Sequence, residues 1–274
     1  MTLFQIIILA AVQGAAELLP VSSSAHVIVA EKLMGLDPTA PAMTLLLVML
    51  HTGTMFAVIT YFWSSWRQTY FSAWSGFRQQ MSWIVLATAA TGGVGLVLLK
   101  LITHLLQPTH AHFEIEQLFG NTRLISAALA VAGVFILLAA RRPSGDAAIG
   151  TRSALLTGLV QGLCLPFRGF SRSGATISTA LLLGVSRRQA EEFSFALAVA
   201  LTPVVIVKEA WRLFKSSADT HALTQALTPS LLGMIFSYGA GLLALRWLSR
   251  WLEAGRWSYF GVYCLVAAVG VACL

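Results

Sequence analysis

Charge is what this chain lacks most. Of 274 residues only 11% are Asp, Glu, Lys or Arg, against roughly 25% in a soluble domain. That deficit excludes a soluble domain, because no stretch has the polar surface one needs. A composition that is 57% hydrophobic, with a mean hydropathy of +0.77, predicts a polytopic membrane protein instead. Acidic residues are the scarcer sign, 11 against 18 basic, which leaves a formal net charge of +7. This excess does not indicate nucleic acid, which requires a solvated basic face. The arginines sit mainly in short gaps between apolar runs, where they set topology. Cysteine is also sparse. Cys164, Cys264 and Cys273 show no metal-ligand spacing and lie in apolar surroundings, so all three read as small core residues. The N-terminus lacks a basic region ahead of its apolar run, so no cleavable signal peptide is expected.

Apolar runs of bilayer length, about 20 residues, are abundant. Six full spans are expected, at about 41–63, 83–106, 121–140, 191–214, 229–252 and 257–274. Residues 1–36 and 151–186 do not fit that template, being apolar at both ends and polar in the middle. Irregular backbone at membrane depth is tolerated only where protein or a water-filled cavity surrounds it. Both segments therefore read as re-entrant helix–loop–helix hairpins.

The two hairpins share a pattern. "VQGAAELLPVSSSAH" begins at Val12 and "VQGLCLPFRGFSRSGAT" at Val160. Each runs Val-Gln-Gly, then an apolar stretch with a proline, then a serine-rich turn, and each is followed by three spans. An odd number of crossings per copy inverts the second relative to the first. The expected fold is an all-α polytopic membrane protein forming a single membrane domain over 1–274. Its halves, about 1–140 and 151–274, form an inverted repeat, with a site where the two hairpin tips meet. In this layout Arg67, Arg78, Arg141, Arg142, Arg152, Arg187, Arg188, Arg246, Arg250 and Arg256 share one face. The positive-inside rule assigns that face to the cytoplasm and both termini to the outside.

Glu17 is the first candidate for chemistry, because a carboxylate deep in an apolar segment costs at least a few kcal/mol. Gln13 lies four residues earlier on the same helical face. Pro20 ends that helix, and Ser22–Ser24 form a turn that presents hydroxyls and backbone N–H groups. His26 follows. Carboxylate, hydroxyl and imidazole together serve nucleophilic, acid–base or metal-assisted reactions. The serines alone would equally serve as a plug that satisfies buried backbone.

In the second cluster, "FRGFSRSGAT", Arg168 and Arg172 interrupt an apolar segment, and Gly169 and Gly174 allow a tight turn. Ser171, Ser173 and Thr176 add donors just before an apolar helix. Arginine with a Gly/Ser turn at a helix N-terminus makes an anion site suited to phosphate. Arg172 can also be the ion-pair partner of Glu17, and the two roles are compatible.

Minor features complete the reading. His51 lines the same cavity or is a hydrogen-bonded core residue. Thr52, Gly53 and Thr54 allow close helix packing. His110, His112, Glu114 and Glu116 read as a solvated loop. Glu191 and Glu192 are expected to face the N-terminal dipole of a span. Lys208 and Glu209 mark an interface. Trp63, Trp66, Trp83, Trp211, Trp247, Trp251 and Trp257 read as interfacial anchors.

These residues point to a phosphorylated lipid, with its headgroup on the arginine cluster and its tail in the bilayer. The chain resembles the undecaprenyl-pyrophosphate phosphatase family of bacterial membrane enzymes. "QGAAELLPVSSSAH" is similar to its first signature and "GFSRSGATIS", followed by "GVSR", to its second; "LHTGTMFAV" and "EFSFALAV" also resemble family segments. Nearly the whole chain takes part. The resemblance implies removal of the terminal phosphate of a C55 isoprenyl pyrophosphate, which regenerates the lipid carrier for cell-wall synthesis. It also implies a divalent cation, Mg²⁺ or Ca²⁺, and residence in the bacterial inner membrane. Glu17, Ser23, His26 and Arg172 then fall on catalytic positions, with Ser23, His26 or water as the attacking group. Gln13, Ser22, Ser171, Ser173, Gly174 and Thr176 fall on substrate-binding positions. Glu17 and Gln13 are the implied metal positions, and a homodimer is one arrangement open to such a protein. The chain departs from the family pattern in three places. Gln13 replaces the first acid, Arg168-Gly169 replaces Pro-Gly with the proline at Pro166, and a further proline is displaced to Pro203. Transport of a polyprenyl phosphate lipid is the rival reading, since re-entrant hairpins are also typical of carriers.

Overall fold

A computed structural model describes the chain apart from residues 38–39, 107–120, 144, 216–219 and 274. The described residues form helices α1 (Leu3–Leu18), α2 (Ser23–Leu33), α3 (Pro41–Tyr70), α4 (Trp74–Leu106) and α5 (Thr122–Ala140). They continue with α6 (Thr151–Cys164), α7 (Arg172–Leu182), α8 (Arg187–Lys215), α9 (Thr220–Glu253) and α10 (Trp257–Ala272). Five of these contain stretches long and apolar enough to cross a membrane: Ala42–Tyr70, Trp74–Leu105, Thr122–Ala140, Arg187–Lys208 and Thr224–Glu253. The protein is therefore an all-α, multi-pass membrane protein. The expected sixth span is shorter, since α10 has 16 residues. Helix α4 begins at Trp74 rather than near residue 83, as "WSGFRQQM" carries no helix breaker strong enough to stop it.

Both expected hairpins are broken helices. α1 stops at Leu18 because Leu19, preceding Pro20, takes an extended conformation (φ −70°, ψ 150°). Ser22 then adopts φ 67°, the sole non-glycine residue with positive φ among those described, and α2 starts at Ser23. In the second hairpin the gap between α6 and α7 contains Gly169 at φ 105°, where a side chain would also strike the Ile125 carbonyl. Glycine meets both demands.

Contacts divide the chain into two units, each drawing on both sequence halves. The first comprises Met1–Leu19, Ser23–Trp66 and Ala198–Leu248. Its core gathers Ile6, Leu9, Ala10, Val27, Met43, Leu46 and Leu50. Small residues bring α9 close to α1 and α3: Gly14 lies against the Ser237 carbonyl and Ala240, and Gly53 against the Met234 carbonyl. The expected packing role of Gly53 is thus met. Ser237 Oγ donates to the Leu50 carbonyl at 3.0 Å, an interhelical bond that no water competes for.

The second unit comprises Pro20–Ser22, Arg67–Leu197 and Ser249–Leu274. Within it, Gly158 and Gly162 of α6 approach α4 at Ala87, Thr91 and Val94. Thr91 Oγ1 donates at this seam, lying 2.8 Å from the Ala87 carbonyl and 2.9 Å from that of Gly158. It also accepts from Gln161 Nε2 at 3.0 Å. Gly133 of α5 and Gly261 of α10 face one another, each Cα lying against the other's carbonyl. Helix α7 is buried from Ser173 to Leu181. Its Thr176 and Thr179 hydroxyls bond back to carbonyls four residues earlier, at 2.8 Å each, so polar side chains cost little at depth.

Several expectations need correction. Trp66 is buried against Phe62, at 5.6 Å between stacked rings, and Trp257 is buried with its N–H bonded; neither is an interfacial anchor. Trp63, Trp211 and Trp247 are exposed. Of the cysteines only Cys264 is fully buried, and Cys273 is exposed. Glu191 and Glu192 lie past the first turn of α8. Glu191 accepts from Ser249 Oγ at 2.6 Å, and Glu192 from Arg188 Nε at 2.8 Å, so partners rather than the dipole hold them. His110, His112, Glu114 and Glu116 lie outside the described residues.

Candidate active site

The first group of functional side chains is built on α1, α2 and α3. Gln13 and Glu17 stand one turn apart, and Gln13 Nε2 donates to Glu17 Oε2 at 3.3 Å. The break at Leu19–Ser22 returns the chain so that Ser23, the first residue of α2, donates its hydroxyl to the same oxygen at 2.5 Å. A hydroxyl-to-carboxylate bond of that length is a strong, charge-assisted one. It places a base directly on the proton that a serine nucleophile must lose. Gln13 is 2% exposed, so its amide is shielded from water while it holds the carboxylate.

His51 joins this group from α3. Its Nδ1 lies 2.8 Å from the Leu47 carbonyl. A carbonyl only accepts, so Nδ1 carries the proton. Nε2 is then the nitrogen that faces Glu17 Oε2, at 3.9 Å. Of the two sequence readings of His51, the hydrogen-bonded residue is the one seen, through Nδ1. His26 lies in the first turn of α2, three residues beyond Ser23, and is partly exposed. Ser22 clusters with the second unit at the tip Pro20–Ser22, where Cys264 Sγ donates to the Pro20 carbonyl at 3.2 Å.

The second group is the N-terminus of α7. Ser171 is its N-cap and accepts from Gly174 N at 3.2 Å. Ser171 Oγ and Ser173 Oγ stand 3.4 Å apart, both 2% exposed. Arg172 is the first helical residue and is partly exposed. Gly174 packs closely, since a Cβ there would lie 2.9 Å from Ile136 Cδ1 and 3.2 Å from Pro20 Cβ. Thr176 is fully buried, with its hydroxyl 2.6 Å from Ser194 Oγ on α8. The turn thus offers first-turn backbone N–H groups and a guanidinium, the two elements of a phosphate cradle. Arg168 is exposed on the preceding loop.

No group of three or more His, Cys, Asp or Glu side chains that could form a metal cage occurs among the described residues. The single carboxylate Glu17, with Gln13 and Ser23 as further oxygen donors, fits a hard cation held mainly by substrate oxygens and water. It does not fit a cation caged by protein alone.

Sequence reading passed over Ser194 and Trp257 as partners of α7. Their segments, "EFSFALAV" and "GRWSYF", carry no local sign of which helix they meet.

Comparison with known proteins identifies the family. The model of the family described as Bacitracin resistance protein BacA matches residues 6–270. "Undecaprenyl-diphosphatase 2" of Acinetobacter baylyi is 61% identical over 271 residues, covering 97% of this chain and 95% of that one. "Undecaprenyl-diphosphatase" of Salinibacter ruber is 30% identical with 99% of each chain covered. "Undecaprenyl-diphosphatase 2" of Burkholderia orbicola is 34% identical, covering 100% of this chain and 96% of the other. A whole-length family match, joined to a paired carboxylate–serine group and a capped Arg-Ser turn, establishes that the chain belongs to the BacA family.

Proposed function

We propose that this protein hydrolyses undecaprenyl diphosphate to undecaprenyl phosphate and inorganic phosphate. The reaction recycles the lipid carrier used in peptidoglycan synthesis. The observation that carries the chemistry is the 2.5 Å bond from Ser23 Oγ to Glu17 Oε2, and the 61% identical Acinetobacter protein bears the name of that activity.

Arg172 and the first-turn N–H groups of α7 hold the pyrophosphate and offset charge that builds on the terminal phosphoryl group. Ser23 Oγ attacks the terminal phosphorus while Glu17 takes its proton. The bond from phosphorus to the bridging oxygen breaks, and undecaprenyl phosphate leaves with the electron pair. Glu17 passes that proton to the departing phosphate oxygen. Water, deprotonated at the freed carboxylate, then attacks the phosphoserine; Ser23 Oγ leaves with the electron pair, takes the proton back from Glu17, and inorganic phosphate is released. Ser23 is favoured over His26 as the attacking group because its hydroxyl is already bonded to the base. Gln13 holds Glu17 in place. Glu17 and Gln13 would hold Mg²⁺ or Ca²⁺, whose chemistry is to neutralise pyrophosphate oxygens.

The two halves are read as an inverted repeat. In support, Gly14 of the first Val-Gln-Gly helix packs on α9, and Gly162 of the second packs on α4. Each is thus the second long helix of the opposite half. Both termini are read as lying outside the cytoplasm, a reading the arginine distribution supports and a reporter fused to the C-terminus tests.

Purified protein incubated with C55 pyrophosphate in detergent is expected to release one phosphate per lipid, with radiolabel trapped on Ser23 after acid quenching. Lipid translocation in vesicles without phosphate release would overturn the hydrolase reading. Turnover without a labelled Ser23, in a sample quenched before the steady state, would move the attacking role to water or His26.

A further inference from the structure

We propose that Ser194 of α8 and Trp257 of α10 are positioning residues for the phosphate-holding turn of α7. The proposal rests on the assignment of Arg172 and that turn to the pyrophosphate. Thr176 Oγ1 stands 2.8 Å from the Arg172 carbonyl and 2.6 Å from Ser194 Oγ. A threonine hydroxyl has one proton. The carbonyl can only accept it, so Ser194 must donate its own proton to Thr176 Oγ1. The chain of donors runs from Ser194 through Thr176 and ends on the backbone of Arg172 itself. Ser194 is 1% exposed and Thr176 is 0% exposed, so no water substitutes for either bond. Near the middle of α7, Trp257 Nε1 donates to Ser178 Oγ at 3.1 Å, and both residues are buried. An indole N–H has no acceptor capacity, so the direction of this bond is also fixed.

These two bonds tie residues two apart on α7, on nearly opposite sides of the helix, to α8 and α10. Rotation of α7 about its axis would leave buried hydroxyls and an indole N–H unpaired, at the cost such groups carry. The turn therefore keeps one angular setting, and the Arg172 backbone and the first-turn N–H groups keep one direction. A cradle for a charged group works best when its dipoles are fixed before the ligand arrives. Neither Ser194 nor Trp257 belongs to the turn, so their effect passes through Thr176 and Ser178.

The test uses near-isosteric variants of the full chain. They are compared for KM and kcat on C55 pyrophosphate, for competitive inhibition by inorganic pyrophosphate and phosphate, and for thermal unfolding in detergent. Ser194→Ala and Thr176→Val are each expected to raise KM and the pyrophosphate inhibition constant roughly three- to tenfold, the span of one buried hydrogen bond. kcat is expected to change less. Ser194→Thr restores the hydroxyl and the affinity. The Ser194→Ala/Thr176→Val double variant is expected to be no weaker than Thr176→Val alone, and Trp257→Phe to act in the same direction. Unchanged inhibition constants in Ser194→Ala and Thr176→Val would overturn the proposal, as would effects that add. Should Ser194→Ala fail to fold, Thr176→Val against Thr176→Ser carries the same comparison. A failure of the underlying reading is separate: Arg172→Ala would then leave pyrophosphate inhibition unchanged, whatever Ser194 does.

Discussion

Helices α1 and α6 both carry Val-Gln-Gly, yet they use the glutamine differently. Gln13 donates to a carboxylate one turn ahead, in the candidate active site. Gln161 donates to Thr91 of α4, at the seam between two helices. Each following glycine admits a neighbouring helix, α9 at Gly14 and α4 at Gly162. The divergence lies one turn later, where the first copy has Glu17 and the second has Leu165, half exposed. A glutamine without an adjacent acid becomes packing material, and the same glutamine beside an acid becomes part of a reactive group. The loops diverge in the complementary sense. The first carries carboxylate and hydroxyl, and the second carries guanidinium and helix dipole.

The comparison breaks most readily at its charged members. Glu17→Ala and Arg172→Ala are each expected to lower phosphate release by roughly 10²–10³, the scale of losing one preorganised electrostatic partner. Near-wild-type turnover in either variant sinks the site. EDTA is expected to abolish release, and Mg²⁺ or Ca²⁺ to restore it. Isothermal titration of the apoprotein with each cation, repeated in Glu17→Gln, tests whether Glu17 takes part. Gly169→Ala is expected to lower stability by roughly 1–3 kcal/mol, because its φ suits glycine alone and the added methyl meets the Ile125 carbonyl. Unfolding in denaturant measures it. The paired substitutions Gln13→Leu and Gln161→Leu sharpen the contrast most directly. The first should lower kcat with little effect on melting. The second should lower melting, with a loss of about 1 kcal/mol for one interhelical bond, and spare kcat. Ser22→Gly, which relieves a left-handed serine, is expected to shift stability by less than either.

Both broken helices were legible in the sequence, because Pro20 and the Gly169–Ser171 stretch have strong local rules. The same holds for Gln13–Glu17, whose spacing alone puts them on one face. The meeting of Ser23 with Glu17 needed only a short turn between them. What stayed hidden depends on which helices pack together. His51 was visible as a histidine in a span, but its carboxylate partner is set by how α3 lies beside α1. Ser194 meets α7 through the angle at which the next helix folds back, and Trp257 reaches it from 79 residues away. The tryptophans show the reverse error. A rule keyed to span ends placed Trp66 and Trp257 at the interface, whereas packing draws both inward.

The mutual approach of Gly133 and Gly261 restricts how α5 and α10 can vary together. Most close contacts leave an evolutionary exit, in which one partner grows while the other shrinks. Here each partner is already the smallest residue, and each would press on the other's main chain. No compensating change exists at the partner position. Any larger residue at either site must be absorbed by parting the two helices along their length, which also parts Ser126 Oγ from the Ala268 carbonyl, now 2.7 Å away. The geometry therefore holds both positions to glycine at once, and neither can be released by a change at the other.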